Sequence, residues 1–269
     1  MVWKMKRQLT EYRKFCLGRA KTIPNKSVEY NTIAERFSPL DLIFFKGDST
    51  FSKIIGYLQT ELLGNGDFSH VGILVNSEIL PTISELKPGR WYVWESTFYT
   101  GGKNDIADIT TGQGKFGVQI RDLELVCKHY QKNEDCKVAW AQLINNPWKD
   151  TSNREELAKK VSSIHKLYGN RGYNVNVISL IASIFPCLRR ARDNFHEFLI
   201  DGLSVLSSEN EQEGFSGWLY CSQLVALIYQ RLGLIAPEID PNNVVPVDFL
   251  GYDIDGLYAV VNNPIYIAK

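Results

Sequence analysis

No stretch of this chain is apolar for long enough to cross a bilayer. The longest apolar region, residues 175–188, is interrupted by Asn176, Ser179, Ser183 and Pro186. It falls short of the roughly 20 apolar residues a spanning helix needs. The basic start is not followed by the apolar run of a secretory signal, so an intracellular, cytoplasmic location with at most peripheral membrane contact is expected. Charge of one sign is missing too. Thirty basic and thirty acidic residues cancel, which argues against a nucleic-acid partner held by global charge. The five cysteines, Cys16, Cys127, Cys136, Cys187 and Cys221, are odd in number and irregular in spacing. None has zinc-knuckle spacing, and reduced thiols are the simplest reading. There is no HExxH, no glycine-rich phosphate loop and no cluster of metal ligands, so no metal or other cofactor is implied. Internal repeats and low-complexity linkers are absent as well.

What is present is an ordinary globular chain. It has 269 residues, and a hydrophobic fraction of 44% is enough to build a sizeable core. The first 26 residues carry Lys4, Lys6, Arg7, Arg13, Lys14, Arg19, Lys21 and Lys26 against the single acid Glu11. They suit a solvated basic helix packed through Trp3, Leu9 and Phe15, or a surface for anionic lipid or an acidic partner. Residues 1–35 read as helix broken by Pro24. Strands are expected at residues 39–45, 69–76, 90–98, 118–123, 136–143 and 256–261. Helices are expected at residues 49–63, 153–167 and 221–232, the last ended by Gly233. Helices and strands segregate rather than alternate, which is the α+β pattern.

Three polar residues stand where chemistry could be done. Cys221 ends the loop 214–220 and begins an apolar helix, whose free amides and dipole favour a thiolate. A lone cysteine in such a place is also an ordinary packing residue. His70 stands at the start of a strand after a polar turn, a rigid mount for a base, although a strand-edge histidine can simply be hydrogen-bonded there. Glu95 lies inside the aromatic strand 91–98. A carboxylate there needs a partner, unless it points outward from an edge strand. If the two strands pair antiparallel, Glu95 can reach the imidazole of His70 and fix its tautomer. His129 reads as exposed, and His165 and His196 as surface or packing residues.

In this order the segments resemble the circularly permuted branch of the NlpC-type papain-like superfamily, which includes YiiX-like proteins, a poxvirus group and lecithin retinol acyltransferase relatives. PLDLIFF (39–45) is similar to its first strand, FSHVGILV (68–75) to its histidine strand, and YVWEST (92–97) to the strand carrying the third polar group. YGNRGYN (168–174), WLYCSQLVALIYQRLGL (218–234) and VPVDF (245–249) resemble the later elements, including the cysteine helix. Histidine precedes cysteine, the order of the permuted branch. Leu40 stands where the family carries glycine, and Asn174 where it carries aspartate.

The resemblance implies a small antiparallel sheet packed on helices, over residues 39–269. Residues 1–38 would be a basic extension and about 175–215 a helical insertion. It implies Cys221 as nucleophile, His70 as base and Glu95 as orienting acid, with Tyr220 and Ser69 as flanking substrate contacts. The expected activity is that of a cysteine hydrolase or acyltransferase on a small-molecule, lipid or peptide acyl substrate, without cofactor. The alternative is a catalytically silent lipid- or peptide-binding module of the same fold. Residues 175–192, an apolar run leading to Arg189, Arg190 and Arg192, suit either helices over the cleft or a membrane-touching face.

Overall fold

The computed structural model describes residues 27–47, 68–97, 106–144, 146–149, 151–172, 219–250 and 264–268. Along these the chain forms β1 (Ser27–Glu29), α1 (Tyr30–Ala34), β2 (Leu42–Lys46), β3 (His70–Val75), β4 (Tyr92–Thr97) and β5 (Gly117–Asp122). Then follow α2 (Leu123–Tyr130), β6 (Lys137–Ala141), α3 (Arg154–Tyr168), α4 (Cys221–Arg231) and β7 (Ile265–Ala268). The seven strands make one sheet in the order β1-β7-β6-β2-β3-β4-β5. All neighbours are antiparallel except β1 and β7. The class is α+β.

Both faces of the sheet are covered at β2, which is why it reads as the unbroken apolar run Leu-Ile-Phe-Phe rather than alternating. Leu42 and Phe44 belong to one core with Val71, Ile73, Trp94 and the apolar side of α4. Ile43 and Phe45 belong to a second core with Leu74, Val93 and the α2 residues Val126 and Cys127. Helix α4 packs on β3 and β4 with α3 beside it, while α2 lies against β4, β5 and β6.

The helices follow local rules. In α3, Glu155 and Glu156 occupy the first turn, where the dipole favours acids, and Leu157, Val161 and Ile164 are buried at helical spacing. Helix α4 ends in a Schellman arrangement. Gly233 takes φ 72°, its amide donates to the Gln230 carbonyl at 3.1 Å, and the Leu234 amide donates to Tyr229 at 2.8 Å.

Three elements differ from the sequence expectation. Ser27–Glu29 is a strand, not helix, because it pairs with the distant β7 and sequence neighbours say nothing of that partner. Leu123 opens helix α2 instead of closing a strand. The Asp122 carboxylate caps it by accepting the Leu125 amide at 3.1 Å, and Leu123, Val126 and Cys127 then face the core. His129 therefore sits half-buried on α2 rather than exposed. His165 is half-buried on α3, its ring 5.3 Å from that of Trp94, in keeping with a packing role. The strand at Ile265–Ala268 was not foreseen. The expectations for residues 1–26, 49–63, 175–215 and 256–261, and for His196, lie outside the described residues. Among the described residues no helix is long and apolar enough to cross a membrane.

The turn into β2 fixes where α4 can lie. Leu40 is fully buried and holds φ 71°, the left-handed region, at the position where the resembled family has glycine. The conformation costs a non-glycine residue roughly 1–2 kcal/mol, and its side chain is compensated by burial in the larger core. Its carbonyl accepts the Tyr229 hydroxyl of α4 at 2.6 Å. Next to it, fully buried Asp41 accepts the Ser38 amide, the Leu143 amide and the Trp140 indole N–H, each at 2.9 Å. Burial pushes the Asp41 carboxyl up to about 6 against these donors, so it is ionised at neutral pH. Asp41→Asn turns one acceptor oxygen into a donor facing donors. It is expected to lower unfolding free energy by about 1–3 kcal/mol in a denaturant titration; an unchanged midpoint would show that these bonds do not hold the turn.

Candidate active site

Cys221 is the first residue of α4, and two hydrogen bonds to Leu219 hold the chain that delivers it. The Leu219 carbonyl accepts the Ser96 hydroxyl of β4 at 2.5 Å. The Leu219 amide donates to Gly172 at 2.8 Å, and Arg171 accepts the Val118 amide of β5 at 2.9 Å. Thus 171–172, part of the glycine-rich segment singled out in the sequence, straps the approach to α4 against the sheet.

The first turn of α4 is clamped from the other side. The Gln223 side chain accepts the Tyr220 amide and donates to Asn242 at 2.6 Å. The Ser222 hydroxyl donates to the Val244 carbonyl at 2.7 Å. Val244 enters the Pro246–Phe249 turn, where Asp248 accepts the Val245 amide at 2.8 Å. The buried Tyr220 hydroxyl donates to the Asn242 carbonyl, so this residue holds the clamp. Ser69 is buried beside His70, and its hydroxyl oxygen has no hydrogen-bond partner.

The sheet brings His70 to the same place. The β3–β4 ladder covers residues 73–75 of β3. Before it, the Val71 amide, like that of Ser222, is placed to favour a thiolate on Cys221. The imidazole of His70 hydrogen-bonds Cys221. Its Nε2 lies 2.5 Å from Glu95 Oε2, which leaves Nδ1 for the sulfur. The ring of Phe45 backs the imidazole at 5.2 Å. Cys221 is 3% exposed, whereas the His70 side chain keeps 13%, so water reaches the pair from the imidazole side.

Glu95 is fully buried in β4, an interior strand between β3 and β5, so the edge-strand alternative does not apply. Its second oxygen, Oε1, accepts Arg121 Nε of β5 at 2.5 Å. Arg121 was not singled out in the sequence. The available signal was a charged side chain two positions from Gln119 on one face of a strand, beside a buried acid in need of a counter-charge. Gln119 itself pairs opposite Glu95 and is buried.

The electrostatics follow from these contacts. Burial alone would raise the Glu95 carboxyl, but Arg121, and after it His70, hold it down at about 2. Burial alone would lower the His70 pKa; the charges of Cys221 and Glu95 instead lift it to about 9. Burial alone would raise the Cys221 thiol, and the imidazolium with the Val71 and Ser222 amides brings it below its usual value. Cys127 is the contrast. Also buried, it is pushed up by burial and by Glu124 and Asp122, which makes it an inert thiol.

Gly72 is what lets Glu95 come so close. A Cβ there would lie 2.6 Å from Val93 Cγ2, 3.0 Å from Glu95 Cβ and 3.1 Å from the Trp94 carbonyl. Gly72→Ala is therefore expected to push β4 away and loosen the Glu95–His70 bond. The alkylation rate of Cys221 at neutral pH should fall about tenfold, the equivalent of one pKa unit; a rate equal to that of the parent chain would mean that β4 yields without moving the carboxylate.

No protein-family model matches the chain, and no curated protein matches it.

Proposed function

We propose that the chain is a cysteine-dependent acyl-transfer enzyme of the permuted NlpC-type papain-like kind, in which Cys221 attacks a carbonyl and holds the acyl group as a thioester. One observation carries the reading: a thiol on a helix N-terminus bonded to an imidazole whose other nitrogen meets a buried carboxylate at 2.5 Å. Packing alone has no use for three coupled ionisable groups in a row, and each desolvated charge costs stability unless paired. Left-handed backbone at Leu40 and the Asp248 turn beneath α4 support the kinship.

The thiolate attacks the acyl carbon, and the carbonyl oxygen becomes an oxyanion facing backbone amides at the start of α4, including that of Cys221. The His70 imidazolium gives its proton to the departing amine or alcohol as the tetrahedral intermediate collapses to the thioester. The freed imidazole then takes a proton from the incoming nucleophile. Water gives a hydrolase, and an amine or alcohol gives a transferase. Glu95 holds the ring and stabilises its cation throughout. The acyl donors we favour are intracellular lipids or peptides.

The test is incubation with a panel of acyl amides and esters, with adducts located by mass spectrometry. An acyl mass on Cys221 that is absent from Cys221→Ala is the expected result. The 3% exposure of Cys221 favours one second reading, a silent lipid- or peptide-binding module. That reading predicts retained binding with no thioester from any donor. An adduct on Cys127 instead would overturn the assignment of the nucleophile.

A further inference from the structure

The four ionisable side chains lie in a line across four elements. Cys221 comes from α4, His70 from β3, Glu95 from β4 and Arg121 from β5. His70 Nε2 and Arg121 Nε approach opposite oxygens of one carboxylate, each at 2.5 Å. Glu95 is fully buried, and the Arg121 side chain is 6% exposed. Among the described residues, the acids next to Arg121 on β5 and α2 are engaged elsewhere. Asp122 and Glu124 pair with Arg90 at 3.1 and 3.0 Å, and Lys128 with Glu124 at 2.6 Å. Strand β2 sets the uncharged Phe45 ring against the imidazole, and that ring in turn meets the Tyr130 ring of α2 at 5.1 Å.

We propose that Arg121 is a positioning residue that acts through Glu95: its fixed positive charge sets the charge balance under which Cys221 gives up its proton. This deepens the acyl-transfer reading and rests on it. Arg121 adds one positive charge to the line Cys221–His70–Glu95. In a poorly hydrated site that charge favours the form of the line with one proton fewer, so the thiol gives up its proton more readily. Without Arg121 the line loses one positive charge in both forms. The thiolate form is then the more costly of the two, and the proton is held more tightly on sulfur. Arginine suits this duty because it does not deprotonate in proteins, and its planar fork fixes the carboxylate it meets.

The role differs from that of a structural ion pair in one measurable way. Removing both partners restores the charge balance, although it deletes every contact between them. The experiment measures the pH dependence of Cys221 alkylation by iodoacetamide, using the full chain and quantifying the Cys221 peptide by mass spectrometry. Thermal melts are recorded for every variant. Arg121→Gln is expected to move the alkylation midpoint up by about one pH unit, a tenfold loss of rate below both midpoints. Arg121→Lys keeps the charge and is expected to stay near the parent midpoint. The double variant Glu95→Gln with Arg121→Gln is expected to return the midpoint towards the parent.

An Arg121→Gln midpoint equal to the parent's would overturn the proposal. So would a double variant shifted as far upward as the single one. If Arg121→Gln does not fold, the lysine and double variants decide: both near the parent midpoint support the proposal, and an upward shift in either overturns it. A parent chain whose Cys221 itself titrates as an ordinary thiol fails differently. That result removes the thiolate–imidazolium pair, and the acyl-transfer reading falls together with the role of Arg121.

Discussion

Cys221→Ala is expected to reduce acyl turnover by about 10⁴-fold or more, to what positioning and the helix amides can achieve without a nucleophile. The effect should lie in the chemical step. A removed sulfur cannot form the thioester, while the α4 clamp through Gln223, Ser222 and Asn242 stays as it is. Folding should change little, because alanine keeps the small side chain at a site that is already covered. Cys221→Ser is the sharper control. Serine keeps the shape, but its hydroxyl does not ionise beside His70 as a thiol does, so the resting ion pair disappears. Turnover by Cys221→Ser within a few-fold of the parent would end the nucleophile assignment.

Glu95→Gln is expected to cost about 10²–10⁴-fold in turnover, through the tautomer of His70 rather than through loss of packing. The glutamine amide has one oxygen and one NH₂. Arg121 can only donate, so it claims the oxygen. The NH₂ is then turned towards His70 Nε2, which must accept and so cannot carry a proton. The proton moves to Nδ1, on the side of the sulfur, and the ring can no longer take one from Cys221.

The pH profile should change with it. In the parent chain the thiolate–imidazolium pair exists from the lowered thiol pKa up to about 9, where His70 deprotonates. Glu95 is one of the two charges that raise that upper limit. Its loss should bring the basic limb of the kcat/KM profile down towards neutral pH. A profile with an unmoved basic limb would show that the carboxylate does not stabilise the imidazolium.

Part of this site is legible along the chain because the groups concerned sit on local landmarks. Cys221 marks the start of an apolar helix, His70 the start of a strand after a polar turn, and Glu95 a charge inside an aromatic run. Each is odd in its own neighbourhood, and their order carries the resemblance. Arg121 is different. Beside Asp122 and Glu124 it looks like one more surface charge, and only the pairing of β5 with β4 turns it inward towards Glu95. Tyr220 and Ser69, the expected substrate contacts, flank Cys221 and His70 in the sequence. The fold gives Tyr220 a bond to Asn242 and leaves the Ser69 oxygen buried without a partner. Helix α2 escaped notice because its cap, Asp122, also ends a strand, and its polar face hides the spacing of Leu123, Val126 and Cys127.

What the sequence determined by itself is whatever depends on periodicity and on neighbours within a few residues: the central strands β2 to β4, helices α3 and α4, the α+β class, and a thiol, an imidazole and a carboxylate at element ends or inside a strand. What only the tertiary structure decided is whatever depends on a partner far along the chain. The parallel β1–β7 pair, the left-handed turn of Leu40 beneath α4, the room that Gly72 leaves for Glu95, and the charge of Arg121 behind that carboxylate all belong here. The physical reason is common to these cases. Local backbone preference acts over a few residues, whereas close approach, desolvation and charge pairing act through space between segments that only folding brings together.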